Sequence, residues 1–255
     1  MKKFILISFL SLTLSIWAQN HTQTYNGLTG WSESSTDQQK ENLQTRTVQP
    51  YETVSVEGNF DVTLYDGKEG SIQLNGTQKL LEEVEVENTA KGVVIKYATH
   101  WKKMLKNSQN NKAVRVRIPI ESIDGVTLSG SGNIHSKTKL KAHQFTIKLS
   151  GSGAIDIHLE AESSSLSLSG SGAINLKGKS NTLETKVSGS GSVDCKNLET
   201  EVANAKLSGS GKISIQASES IRSQIAGSGN VYVYGNPSQV DTKNAGSGKT
   251  KFVEW

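Results

Sequence analysis

Along the second half of the chain, apolar and polar residues alternate in short runs, and each run is broken by the same three residues. Gly-Ser-Gly begins at Gly130, Gly151, Gly170, Gly189, Gly209, Gly227 and Gly246, in steps of 21, 19, 19, 20, 18 and 19 residues. With the first glycine as position 0, the apolar residues fall at −4, −2, +4 and +6. Examples are Ile147, Leu149, Ile155 and Ile157 around Gly151, and Leu166, Leu168, Ile174 and Leu176 around Gly170. These positions are all even, and so are both glycines. In an extended chain one parity is one face, so each unit has a face that is apolar at both ends and bare in the middle.

A period near 20 with such a face predicts a stack of coils, each burying its apolar side against its neighbours. Each coil supplies two short strands that pair in parallel with the next coil, about 4.8 Å away. Because parallel crossovers are nearly always right-handed, the sequence predicts an all-β, right-handed parallel β-solenoid with coils of 19–20 residues, regular over 121–255. The glycines have two physical readings, a backbone corner or a close approach of another layer, and the corner is the simpler. Polar stretches such as Lys137-Thr138-Lys139 and Glu160-Ala161-Glu162 are expected to form outer turns. In the last unit Thr242, Asn244 and Thr250 replace apolar residues, the pattern of a capping coil.

Upstream the alternation is present without the repeat. Val54, Val56, Phe60, Val62 and Leu64 share one parity across Gly58, followed by Ile72/Leu74, Val84/Val86, Val93/Ile95/Tyr97 and Val114/Val116/Ile118. Each reads as a short strand; Leu80–Glu87 suits a helix or a strand, and a strand is preferred. Residues 47–120 are expected to form irregular N-terminal coils of one solenoid domain spanning 47–255. Residues 19–46 are polar and aperiodic, the composition of a flexible segment. Residues 1–18 carry Lys2 and Lys3, an apolar run from Phe4 to Leu14 and Ala18 at the cut, the pattern of a secretory signal peptide. That run is too short to span a membrane, and no other stretch supplies the ~18 apolar residues a spanning helix needs. The chain is therefore expected to be exported, to the periplasm, the outer cell surface or the medium.

Val54-Ser-Val56-Glu-Gly58-Asn-Phe60-Asp61-Val62-Thr-Leu64, followed by repeated Ser-Gly-Ser-Gly-x-Ile/Val, resembles the head GIN domain family of auto-transporter adhesins. The resemblance covers about residues 46–254. It implies a β-helical fold and a place among secreted and cell-surface proteins of Bacteroidetes bacteria. It carries no catalytic signature.

Charge and cysteine content narrow the function further. The net charge is +4, and cleavage of the leader removes Lys2 and Lys3 to leave +2, so nucleic acid is not an expected partner. Cys195 is the single cysteine, which excludes an intrachain disulfide; its inward +6 position marks it as a small buried hydrophobe. In Ala245-Gly-Ser-Gly-Lys-Thr250, which imitates the end of a phosphate-binding loop, Lys243 stands where the motif requires glycine. The scattered histidines have no metal-ligand spacing. No cofactor, metal or catalytic centre is expected.

Two places remain where a ligand could bind. Position +5 faces outward and reads His135, Asp156, Asn175, Asp194, Ser214, Tyr232 and Lys251 along the stack. Asp156 and Asp194, two coils apart, would lie about 9.6 Å from each other, near the upper end of the carboxylate spacing in inverting glycosidases. A solvated polar face, with Asn175 relieving repulsion, is the simpler account of Asp156, Asn175 and Asp194. The second place is the basic stretch from His100 to Lys112, in which Trp101, Lys102 and Lys103 could contact anionic glycans or lipid headgroups; an exposed insertion loop is the plainer reading. The sequence thus points to a non-enzymatic, adhesin-like binding or structural module of the envelope, with glycans or envelope and host surface proteins as partners. A carbohydrate-active or carbohydrate-binding β-helix using the Asp/Asn ladder is the alternative.

Overall fold

The computed structural model describes residues 41–90, 92–98 and 113–254, all within one compact unit. The leader and the Trp101–Lys103 stretch lie outside the described residues. The chain forms a β-solenoid. Its regular part comprises β8 (Gly125–Gly130), β9 (Asn133–Gly151), β10 (Ala154–Gly170), β11 (Ala173–Gly189), β12 (Ser192–Glu199), β13 (Val202–Gly209), β14 (Lys212–Gln216), β15 (Ser220–Gly227), β16 (Asn230–Tyr234), β17 (Gln239–Ala245) and β18 (Lys249–Val253). Consecutive coils pair in parallel and in register: Ile155 lies beside Ile174, Leu168 beside Val187, and Gly170 beside both Gly151 and Gly189. The even positions are buried, and Ile155, Ile174, Val193, Ile213 and Val231 stack as one internal column with essentially no exposure.

Both readings of the glycines are correct: the first glycine of a corner needs the backbone conformation as well as the close approach, the second the close approach alone. Gly170 has φ +118°, a conformation that L side chains rarely adopt, and turns the chain between the two faces of the coil. Gly172 has ordinary φ, but a Cβ there would stand 2.5 Å from the Gly153 carbonyl oxygen and 2.8 Å from Leu149 Cδ2. Close stacking also satisfies the corner: the Gly151 carbonyl accepts the N–H groups of Ser171 and Gly172, each at 3.0 Å. A buried corner thus keeps its polar groups paired.

The expected outer turns are present in the later coils, between Glu199 and Val202, Gln216 and Ser220, and Tyr234 and Gln239, and are a correction in the earlier ones. β9, β10 and β11 run unbroken from one glycine corner to the next, and Leu140, Leu159 and Ala161, at or beside those polar stretches, are buried. The buried parity shifts where two successive residues stay out of the core, both fully exposed at Asn181–Thr182 and Glu201–Val202 and one of them half-buried at Glu162–Ser163 and Lys196–Asn197. Charged residues around this side alternate across coils, with Lys141, Glu160 and Lys179 on neighbouring rungs. The strands persist because cross-strand pairs of opposite charge support the ladder as well as apolar ones do.

The N-terminal part comprises β1 (Glu41–Thr47), β2 (Thr53–Glu57), β3 (Phe60–Asp66), β4 (Ser71–Thr77), α1 (Gln78–Glu82), β5 (Val84–Asn88), β6 (Gly92–Tyr97) and β7 (Val114–Ile120). Residues 41–46, expected in the flexible segment, instead belong to β1, which pairs antiparallel with β4 through its backbone. Its alternation is hidden because its partly covered positions are polar, Asn42, Gln44 and Arg46. The stretch 80–87 divides between the end of α1 and β5. Coil order departs from chain order here. The β2–β3 coil lies between the later β6–β7 coil and the β8–β9 coil, for β2 pairs with β6 and β8, and β3 with β7 and β9. β5 on β6 and β4 on β7, both antiparallel, then finish this end, with β1 and β5 as its outermost described strands.

Cys195 is fully buried in its inward slot, as expected. Burial first, and the Asp194 carboxylate second, push its thiol pKa well above the usual value. A maleimide should therefore leave the native protein unlabelled and modify one thiol per chain in denaturant; rapid labelling of native protein would contradict this packing.

Candidate functional site

The outward +5 column forms a continuous ladder. Asp156 pairs with His135 on one side and Asn175 on the other, Asn175 with Asp194, Asp194 with Ser214, Ser214 with Tyr232, and Tyr232 with Lys251. The structure thus brings Asp156, Asn175 and Asp194 onto three successive rungs of one outward strand face. Asp156 and Asn175 are exposed, and their side chains have no hydrogen-bond or ion-pair partner among the described residues. Asp194 is anchored: Oδ1 accepts the Lys196 N–H at 3.2 Å, and Oδ2 lies 3.9 Å from Lys196 Nζ.

The ladder is not uniformly exposed. Ser214 retains only 2% of its accessible surface, since its short side chain sits between the longer Asp194 and Tyr232. It divides the column into an acid–amide part and an aromatic–basic part. In the latter, Lys212 Nζ and Lys251 Nζ lie 4.8 Å and 5.4 Å from the Tyr232 ring centroid, within cation–π range. At the other end Thr63 continues the column beyond His135 and shares a 2.8 Å hydrogen bond with His135 Nε2. Arg117 follows on the next rung, its guanidinium 5.0 Å from the Tyr65 ring centroid.

Sequence reasoning missed Thr63 and Arg117. Aligning Gly58 with the first glycine of each repeat places Thr63 at +5, so its position was legible. Arg117 has no such marker, because its coil stacks out of chain order. Trp101, Lys102 and Lys103 fall between the end of β6 at Tyr97 and the start of β7 at Val114, outside the described residues.

Concave surface lies elsewhere. An open depression of about 490 Å³ on the outer side is lined by residues including Lys141, His143, Glu160, Glu162 and Lys179. Both of its carboxylates are engaged: Glu160 accepts from Lys139 Nζ on the neighbouring coil at 3.0 Å, and Glu162 lies 3.0 Å from His143 Nδ1. The hydrogen bond from Lys139, helped by its charge and that of Lys141, holds the Glu160 carboxyl below the usual range. This is the signature of a charge-paired ladder. Among the described residues no three His, Cys, Asp or Glu side chains are grouped to hold a metal ion, and no helix is long and apolar enough to cross a membrane.

The fold recurs in solved structures. A putative adhesin from Bacteroides fragilis NCTC 9343 superposes with a TM-score of 0.78 at 20% identity, covering 84% of this chain and 97% of the other. A putative lipid binding protein from Parabacteroides distasonis ATCC 8503 gives 0.67 at 19% identity, with 84% and 96% covered. A putative adhesin from the same strain gives 0.66 at 18% identity, with 85% and 98% covered. At these identities the likeness establishes the shared fold. No curated protein matches the sequence significantly. The family model described as "Putative auto-transporter adhesin, head GIN domain" matches residues 50–237, most of the solenoid, and the chain belongs to that family.

Proposed function

We propose that this protein is an exported, non-enzymatic adhesin-like module that holds glycans along its outward +5 face. The observation that carries this reading is the register placing Asp156, Asn175 and Asp194 on adjacent outward rungs, with Asp156 and Asn175 uncommitted. Carboxylate and amide groups repeated about every 4.8 Å offer a row of hydrogen-bond partners to the hydroxyls of an extended saccharide. An exposed strip suits a chain lying along it better than a small molecule that must be enclosed. Export rests on the leader pattern of residues 1–18, and the adhesin-like role on the family.

Trp101, Lys102 and Lys103 form a second proposed contact, directed at anionic glycans or lipid headgroups. Lipid binding is also named for the Parabacteroides distasonis structure of similar fold.

A glycan array should identify ligands. For these, Asp156→Ala and Asn175→Ala should each weaken binding about tenfold, the worth of one hydrogen bond to a charged or strongly polar group, with the far-UV spectrum unchanged. The triple alanine variant of Trp101, Lys102 and Lys103 tests the second contact in the same assay. Undiminished binding in the two ladder variants would refute the ladder as the site, and release of reducing ends from a bound glycan would convert the reading to a hydrolase.

A further inference from the structure

The two ends of the solenoid differ, and the difference constrains how copies can meet. At one end β6 and β7 have strands on both sides, β2 and β5 for the first, β3 and β4 for the second. At the other, β17 pairs only with β15 and β18 only with β16 among the described residues. Val240 and Phe252, in inward register on this last coil, are 51% and 52% exposed. Open strand edges with exposed apolar residues invite pairing with another chain. A head-to-tail stack would require the same parallel coil at both ends, and at the first end β5, antiparallel to β6, interrupts it. Like ends can still meet about a two-fold axis, which makes the contacting strands antiparallel.

We infer that β17 is a self-docking edge: two copies pair β17 with β17 antiparallel, with Thr242 at the two-fold axis. The backbone direction supports this. The Gln239 N–H donates to Glu219 in the preceding coil at 3.0 Å. Since N–H and C=O directions alternate along a strand, Val240, Thr242 and Asn244 direct theirs to the open side. Centred on Thr242, Val240 meets the second copy's Asn244 and Thr242 meets itself, so the residues with free backbone groups exchange hydrogen bonds.

Charge selects the same register. Asp241 and Lys243 face outward and become cross-strand partners, in the non-hydrogen-bonded positions where side chains lie closest. Asp241 already accepts from Arg222 Nε at 3.0 Å; the second copy's Lys243 would approach from the other side. β18 is not self-complementary in this way, since Lys249 and Lys251 lie on one strand face without an acidic residue between them. One coil end is small against the ~1,200–2,000 Å² of a stable interface, so the dimer should be weak and concentration-dependent.

Sedimentation of the full chain over a concentration series tests the inference, alongside Thr242→Cys. Residues facing each other across the two-fold in a hydrogen-bonded pair have Cα atoms ~5.5 Å apart, within the range a disulfide spans, and Cys195 is buried away from the oxidant. Thr242→Cys should give covalent dimer under mild oxidation, and an exposed control, Ser190→Cys, should not. Lys243→Glu should weaken self-association about tenfold, and Asp241→Lys combined with Lys243→Asp should restore it, with all variants keeping the parent far-UV spectrum. A monomer at every concentration with no preferential cross-link at 242, or assembly continuing past the dimer, would overturn the inference.

Discussion

Gly170→Ala is expected to lower stability by about 2–5 kcal/mol, combining ~1–2 kcal/mol for an L residue in left-handed backbone with ~1–3 kcal/mol for overpacking. The φ at Gly170 is +118°, and its added Cβ would stand 2.5 Å from the Gly151 carbonyl oxygen. That oxygen accepts two corner hydrogen bonds, so it cannot retreat without loosening the next coil. Gly70 separates the two causes: φ is +117° but nothing lies within 4 Å of its Cβ position. Gly70→Ala should therefore cost only the conformational part, about 1–2 kcal/mol. Gly172→Ala should show the contact part alone. Thermal unfolding measures the series. At about 2–4 °C per kcal/mol for a domain of this size, Gly170→Ala should lose on the order of 10 °C and Gly70→Ala only a few. Equal losses at Gly170 and Gly70 would mean that close stacking contributes nothing.

The second large effect concerns a position where the repeat pattern misleads. Gly58-Asn59-Phe60 is the corner of the β2–β3 coil, with Phe60 where every later corner has its second glycine. The Gly132 N–H donates to the Gly58 carbonyl at 3.1 Å, as one corner does to the next throughout the stack. By the repeat alone, Phe60→Gly restores the consensus and should be harmless. The structure predicts a loss of about 3–5 kcal/mol, the cost of truncating a buried aromatic. Phe60 has no accessible surface and stacks on Tyr97 with ring centroids 4.2 Å apart and planes at 16°. No Gly-Ser-Gly corner lies on its β6–β7 side, so its ring occupies space that the glycine layers close elsewhere. Urea unfolding decides the matter: a midpoint unchanged by Phe60→Gly would show that the ring is dispensable.

Much of the candidate site was legible as well. The outward direction of position +5 follows from counting parity from a glycine, and one fixed step per coil brings Asp156, Asn175 and Asp194 together. The burial of Ser214 was not legible, because its cover comes from side chains a coil away in either direction. Nor was the split between free Asp156 and anchored Asp194, which depends on the chain past Asp194 bending so that the Lys196 N–H reaches the carboxylate.

The sequence by itself determined the coil length, the buried parity and the parallel register of the regular coils. All three are set by local alternation and a repeat that leaves each coil only its neighbours to pack against. Tertiary structure alone decided which coil neighbours which at the N-terminal end. The apolar faces of β2, β6 and β8 are similar, and chain order does not distinguish the stackings open to them. The choice falls to non-local contacts such as Phe60 on Tyr97 and the antiparallel addition of β4 and β5. Tertiary structure also decided that the two ends differ, one finished by antiparallel strands and the other by a parallel coil, because an edge is a property of the finished stack and of no residue within it.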